Sequence, residues 1–311
     1  MATSTRILVL FDNNGSEYVT RIHDGANRIG RSSGFTVQAE NLFTTRRQIT
    51  EVIEDSFAGI VLTAPLSDDR HVLRLLESRG IPCVRIAPML DPDRGCTVVM
   101  DEYDAARAIT DHLLQKGHRR IGFMRGPRAH LVSMRRFNGY ANALGGKGLR
   151  TDPALIVQGD FSRQSGREQA PALFAAKPTA IFASNDEMAV GIIDAAVAAG
   201  IDIPRDISLV GFDDNAVAKT VRPRLTSVRQ PLEEMGEAAC RLLLDGIRFS
   251  SRPNQHKQIP FEIVERDSVL EYQPAGARSP AAQAGLATGF GGATAFEPAA
   301  RPIIGSGLSA R

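Results

Sequence analysis

GHRRIGFMRGPRAHLVSMRRFNGY, residues 117–140, is the stretch on which the fold turns. It follows a helical stretch predicted over about 102–116, where Ile109 and Leu113 lie one turn apart, and Gly117 stands where a left-handed helix cap belongs. RRIGFMRG then reads as a strand, a glycine-containing turn follows, and a helix is expected near 133–147. A continuous apolar strand flanked by helices points to a sheet covered on both faces.

The same alternation runs forward. ALIVQGDF (154–161), a helix near 164–175, AIFASN (180–185), a helix near 186–199 and SLVGFDD (208–214) follow in order. It also runs backward to the first residues: RILVLF (6–11), a helix near 17–32, FTVQAE (35–40), a helix near 44–55, GIVLTA (59–64), a helix near 68–79, and PCVRIA (82–87) after Gly80 and Pro82. Two βα lobes are therefore expected, the first finished near residue 98. TSVRQP (226–231), a helix near 232–246 with Leu232, Met235, Ala239 and Leu242 on one face, and one last strand around 259–266 could return to the first lobe. The fold class is α/β, with two similar doubly wound parallel-sheet lobes. The boundaries expected are 1–98 plus 231–260 for the N-terminal lobe and 99–230 plus 261–273 for the C-terminal lobe. Residues 274–311 are rich in Ala, Gly, Pro and Ser without an apolar period, so they are expected to be disordered and to lack an oligomerising coiled coil.

Composition narrows the function. Lys plus Arg number 37 against 35 for Asp plus Glu, and a net charge of +2 supplies no field that would hold nucleic acid by its phosphates. Cys83, Cys96 and Cys240 are widely spaced and read as buried free thiols. The first apolar run is too short for a signal-peptide core, and no run approaches the roughly 20 residues that span a bilayer. A reducing, cytoplasmic location and no membrane association are expected.

Enzyme motifs fail on context. GRSSG (30–34) matches the hydrolase elbow G-x-S-x-G, but a helix precedes Ser32 and a strand follows it, the reverse of what that turn needs. No G-x-G-x-x-G follows the first strand, GGKG (145–148) suits a helix stop, and the six histidines show no metal-ligand spacing. No catalytic residue, metal or cofactor is expected.

The pattern GHRRIGF, a turn, then S-x-x-R-x-x-G-Y resembles the second lobe of the LacI family of regulators. PTAIFASNDEMAVG (178–191), IPRDISLVGFDD (203–214), PRLTSVRQP (223–231), MGEAACRLLL (235–244) and IVERDSV (263–269) extend the resemblance over roughly residues 6–272. It implies two lobes joined by three crossovers, of the periplasmic-binding-protein type, with a small effector in the cleft. Strand ends facing a crevice suit that role, and a sugar-like effector wants carboxylates, amides and an aromatic face.

Arg136 holds the arginine position of the motif and would offer a planar fork of donors. Asp213 ends SLVGFDD as a hydroxyl acceptor, whereas Asp214 could cap the next segment. Changing either Arg136 or Asp213 is expected to leave the fold largely intact, provided that both side chains face solvent in the empty cleft. The resemblance places effector contacts at Asn185, which is also a candidate helix cap, and an aromatic cover at Phe161. It implies polar and aromatic contacts at Asn13 and Tyr18, where NNGSEYV replaces the Asn-Pro and two aromatics frequent in relatives. Asp101 and Gln230 match crossover positions that face the cleft.

A complete regulator of this family begins with a helix-turn-helix and a hinge helix. Here strand one starts at Arg6, so operator binding is expected only through a headpiece that this sequence lacks. The function implied is a small-molecule sensor, its effector a sugar or glycoside, working as a homodimer. A sugar-binding protein of a transporter is the alternative, and a signal sequence would favour it.

Overall fold

The computed structural model describes residues 5–12, 16–249 and 254–273. The first half runs β1 (Arg6–Phe11), α1 (Ser16–Ser32), β2 (Thr36–Asn41), α2 (Leu42–Thr45), α3 (Ile49–Val52), β3 (Gly59–Leu62), α4 (Arg70–Ser78), β4 (Cys83–Ile86) and β5 (Cys96–Val99). The second runs α5 (Glu102–Gln115), β6 (Ile121–Arg125), α6 (Leu131–Gly145), β7 (Ile156–Gln158), α7 (Arg163–Ala175), β8 (Ala180–Ala183), α8 (Asp186–Ala199), β9 (Ser208–Asp213), α9 (Ala216–Thr220) and β10 (Thr226–Arg229). α10 (Leu232–Arg248), β11 (His256–Gln258) and β12 (Glu262–Val264) close the described chain. The expected disordered tail, 274–311, lies outside the described residues.

Two six-stranded sheets result, in the orders β11-β5-β4-β3-β1-β2 and β12-β10-β9-β8-β6-β7. The chain passes between them after Val99, after Arg229 and between Gln258 and Glu262. All pairings are parallel except β10 with β12, where Val228 lies opposite Ile263. β1 shows why its apolar run is unbroken. Ile7, Val9 and Phe11 pack on the side of α1 and α10, while Leu8 and Leu10 pack with Val52, Leu66 and Leu76 on the other side. Both faces are buried, so every residue must be apolar.

Four details depart from the sequence reading. The helix expected over 44–55 is two short ones, because Arg46 turns left-handed at φ 58° and the Glu51 carboxylate then accepts the Gln48 N–H to start α3. CTVV, too short to stand out from its loop, forms β5. A short helix, α9, follows β9. The single last strand around 259–266 is instead two three-residue strands, one on the edge of each sheet, since each edge offers unpaired backbone to the passing chain. Gly117 does adopt the left-handed conformation, at φ 89°.

The helix pairs meet at glycines. A Cβ added to Gly139 of α6 would lie 2.3 Å from the Tyr103 carbonyl oxygen of α5, and one on Gly191 of α8 would lie 2.1 Å from the Arg163 carbonyl oxygen at the start of α7. These close approaches set where α5, α6 and α8 present their first turns, all at the same end of the second sheet. Cys240 is buried and its thiol is pushed up to about 11 by burial. Cys83 and Cys96 are only partly buried, which corrects the expectation of three buried thiols. Ser32 donates its hydroxyl to the Ile29 carbonyl oxygen in the last turn of α1, an ordinary helix-end bond.

Candidate functional site

The C-terminal strand ends of both sheets open onto one cavity of about 420 Å³. Tyr18, Arg136, Phe161, Asn185, Asp213 and Gln230 line it together. Of the other two residues singled out in the sequence, Asn13 lies outside the described residues. Asp101 is not among those lining the cavity. Its carboxylate accepts the Tyr103 and Asp104 N–H groups, both at 3.0 Å, and caps α5. The acid at that crossover which faces the cavity is its neighbour Glu102.

Ser133, Arg136, Gly139 and Tyr140 form the buried face of α6, so the spacing of the motif is that of a helix packed on a sheet and on α5. Because Gly139 admits α5 so closely, Arg136 reaches the first turn of α5, where its Nε donates to Glu102 Oε2 at 2.7 Å. Its Nη1 donates to the Ser184 carbonyl oxygen at 2.5 Å, and the guanidinium lies 3.7 Å above the Phe212 ring. The side chains of Arg136 and Glu102 are each 5% exposed. Arg136 therefore does not face solvent, as an intact fold on its change would require, but is the centre of a buried ion pair.

Asp213 Oδ1 lies 3.7 Å from Arg136 Nη1 and accepts the Gln230 amide at 2.5 Å. Its side chain is 18% exposed. Burial is the main force on its carboxyl, pushing it from an ordinary 3.8 up to about 7 against the pull of Arg136 and the Gln230 hydrogen bond, with Glu102 adding to the rise. The sign of the linkage follows. The folded protein keeps a proton that the unfolded chain gives up, so the stability contributed by this group is full below pH 3.8 and is lost as pH rises to about 7. Urea titrations between pH 4.5 and 8 should show that decline, and Asp213→Asn should flatten it; equal slopes in the two proteins would refute the assignment.

Asp214 caps nothing. It is 1% exposed, takes Arg229 Nε at 2.9 Å and pairs with Arg266, which welds the end of β9 to β10 and the closing segment. Asn185 accepts the Met188 N–H at 2.9 Å as the cap of α8, and its amide donates to the Phe161 carbonyl oxygen, also at 2.9 Å. The cap and the cavity wall are thus one residue. Phe161 sits at φ 70°, and its ring occupies the space that a Cβ on Gly126 would take, 2.1 Å from Cε1. His130 meets it edge-on at 5.8 Å. Burial, together with the charges of Glu102 and Asp213, pushes the Tyr18 hydroxyl upward and keeps it a neutral donor.

Sequence reading missed Glu17, Glu102, His130 and Glu187, all of which line the cavity. Glu102 and Glu187 stand in first turns of helices, where acids are ordinary complements of the helix end, so neither carried a signal of its own. Among the described residues no group of three His, Cys, Asp or Glu is placed to hold a metal ion, and no helix is long and apolar enough to cross a membrane.

Residues 110–269 match the family model described as a periplasmic binding protein-like domain. Catabolite control protein A of Priestia megaterium is 33% identical over 213 residues, 68% of this chain and 64% of that protein. The HTH-type transcriptional regulator MalR of Streptomyces coelicolor is 32% identical over 242 residues, 72% of this chain and 68% of its own length. The chain belongs to the LacI family. Among solved structures of that fold, a complex of the transcriptional regulator CelR with cellobiose superimposes with a TM-score of 0.77 at 26% identity, over 85% of this chain and 84% of the other. The match thus spans about two thirds of the length of these curated relatives. In this LacI-family chain Arg136 lines the cleft, and its acid partner there is Glu102.

Proposed function

We propose that this chain is the effector-sensing core of a cytoplasmic transcriptional regulator, which holds a neutral sugar or glycoside between its lobes and catalyses nothing. The observation that carries the reading is the polar floor of the cleft, where Arg136, Glu102, Asp213 and Gln230 form one connected set beneath the aromatic walls of Tyr18 and Phe161. Carboxylate, guanidinium and amide groups on a rigid floor offer paired hydrogen bonds to vicinal hydroxyls, and the rings cover a C–H face. The kinship with regulators such as MalR favours this over the transport reading. The lobes would be residues 1–98 plus 231–260 and residues 99–230 plus 261–273, and effector binding would bias their relative orientation.

A panel of mono- and disaccharides, with cellobiose first because the CelR structure holds it, tests the site by thermal shift. At pH 8, where Asp213 is ionised, a stabilising sugar should lose affinity by roughly tenfold or more in Asp213→Asn, since a hydrogen bond to a charged acceptor contributes about 1.5–3 kcal/mol. An unchanged shift in that variant would remove Asp213 from the site. Operator DNA would be read by a helix-turn-helix of the kind its relatives carry, set at the spacing of a homodimer. Light scattering at micromolar concentration should give twice the chain mass; a monomer would count against the regulator reading.

A further inference from the structure

Three successive backbone N–H groups follow Asp213, and each donates to a side chain. Asp214 N–H goes to Ser227 Oγ at 3.2 Å and Asn215 N–H to Asp186 Oδ2 at 2.8 Å, both from the second lobe. Ala216 N–H goes instead to Glu17, whose two carboxylate oxygens lie at 2.9 and 3.1 Å, and Glu17 belongs to α1 of the first lobe. One helical turn further along α1, Arg21 Nη2 donates to the Gln230 carbonyl oxygen at 3.1 Å and Nη1 to that of Asp213 at 3.4 Å. Asp213 and Asp214 themselves sit at φ 111° and 52°. Such values cost a non-glycine residue free energy and persist only where surrounding bonds hold them.

The geometry points to Glu17 and Arg21 as a cross-cleft clamp: positioning residues on the first lobe that hold the strained Asp213–Ala216 corner of the second and tie its shape to the spacing of the lobes. Glu17 stands in NNGSEYV, where this sequence departs from the pattern frequent in relatives, and Arg21 lies outside the motifs that mark the family. The two grips are separate, one on a donor after the corner and one on acceptors before and beside it, so the corner cannot rotate without loosening one of them. Asp213 lies inside that corner, so a ligand that draws on its carboxylate acts on the clamp as well. This last consequence rests on the sugar-binding reading, whereas the clamp itself does not.

Hydrogen exchange read by mass spectrometry over residues 213–220, together with small-angle scattering, tests the clamp in the full chain without added sugar. Glu17→Ala should speed exchange at Ala216 by roughly tenfold or more, as loss of a charge-assisted bond allows. Glu17→Gln, which keeps an acceptor oxygen, should restore most of the protection. Glu17→Ala combined with Arg21→Met should also enlarge the radius of gyration, while each single change enlarges it less. Wild-type exchange in Glu17→Ala would overturn the proposal. So would faster exchange with an unchanged scattering profile in the double variant, because Glu17 would then be only a local cap. If Arg21→Met fails to fold, Arg21→Lys takes its place, keeping the charge but not the two-pronged reach, and the same two outcomes decide.

Discussion

Arg136→Ala is expected to lower the unfolding free energy by about 3–5 kcal/mol, the usual consequence of removing one partner of a buried ion pair. The loss does not come mainly from the bonds that Arg136 makes. Truncation leaves the Glu102 carboxylate, 5% exposed, without its partner at 2.7 Å, strips the Ser184 carbonyl oxygen of a donor, and uncovers the face of Phe212. Chemical denaturation measures the change. A double variant separates the causes: Arg136→Met with Glu102→Gln removes both charges while filling the space, and should recover a good part of the loss. If Arg136→Ala melts like the wild type, the ion pair is not buried in solution and the arginine is free. The practical consequence concerns ligand studies. Loss of sugar response in Arg136→Ala would be ambiguous, and Asp213→Asn is the cleaner probe of the site.

Gly25→Ala should cost the upper part of the roughly 1–3 kcal/mol typical of overpacking. α1 and α10 cross backbone to backbone: a Cβ on Gly25 would stand 1.9 Å from the Glu233 carbonyl oxygen, and one on Gly236 would stand 2.1 Å from that of Ile22. Neither obstacle is the end of a flexible side chain, so the helices themselves must separate. α1 brings Tyr18 to the cavity and α10 brings Leu232 and Met235, hence the same substitution should weaken the response to sugar. Gly246→Ala is the control. It lies in α10 with nothing within 4 Å of the added methyl, and should be neutral or stabilising by a few tenths of a kcal/mol to about 1 kcal/mol. Equal losses at both positions would mean that the close backbone crossing is not what makes glycine necessary at Gly25.

Much of the second lobe could be read from residues 117–140 outward, because each signal there is local. A strand buried on both faces must be apolar throughout, a helix stop wants glycine at a left-handed position, and Arg136 and Asp213 fall at the cleft ends of elements whose order along the chain already implies two sheets. Where the signal was weak the reading slipped by small amounts. β5 and the two closing strands are three or four residues long, and strands that short exist only because a sheet edge lies beside them.

The alternation of strands and helices was set by the sequence itself, since periodicity and cap chemistry act over a few residues, and the resemblance to the family pointed to Tyr18, Arg136, Phe161, Asn185, Asp213 and Gln230 at the cleft. Which groups those side chains meet was decided only by the tertiary structure. Glu102 rather than Asp101 faces the cavity because Asp101 is used on the N–H groups of its own helix, and Glu102 meets an arginine 34 residues away. Asp214 is locked between Arg229 and Arg266, and Glu17 finds its donor 199 residues along the chain. A charged side chain reads the same in sequence whether it ends in water or against a partner. Only the crossing of helices, fixed here by glycines that let backbones touch, determines which carboxylate a buried guanidinium reaches.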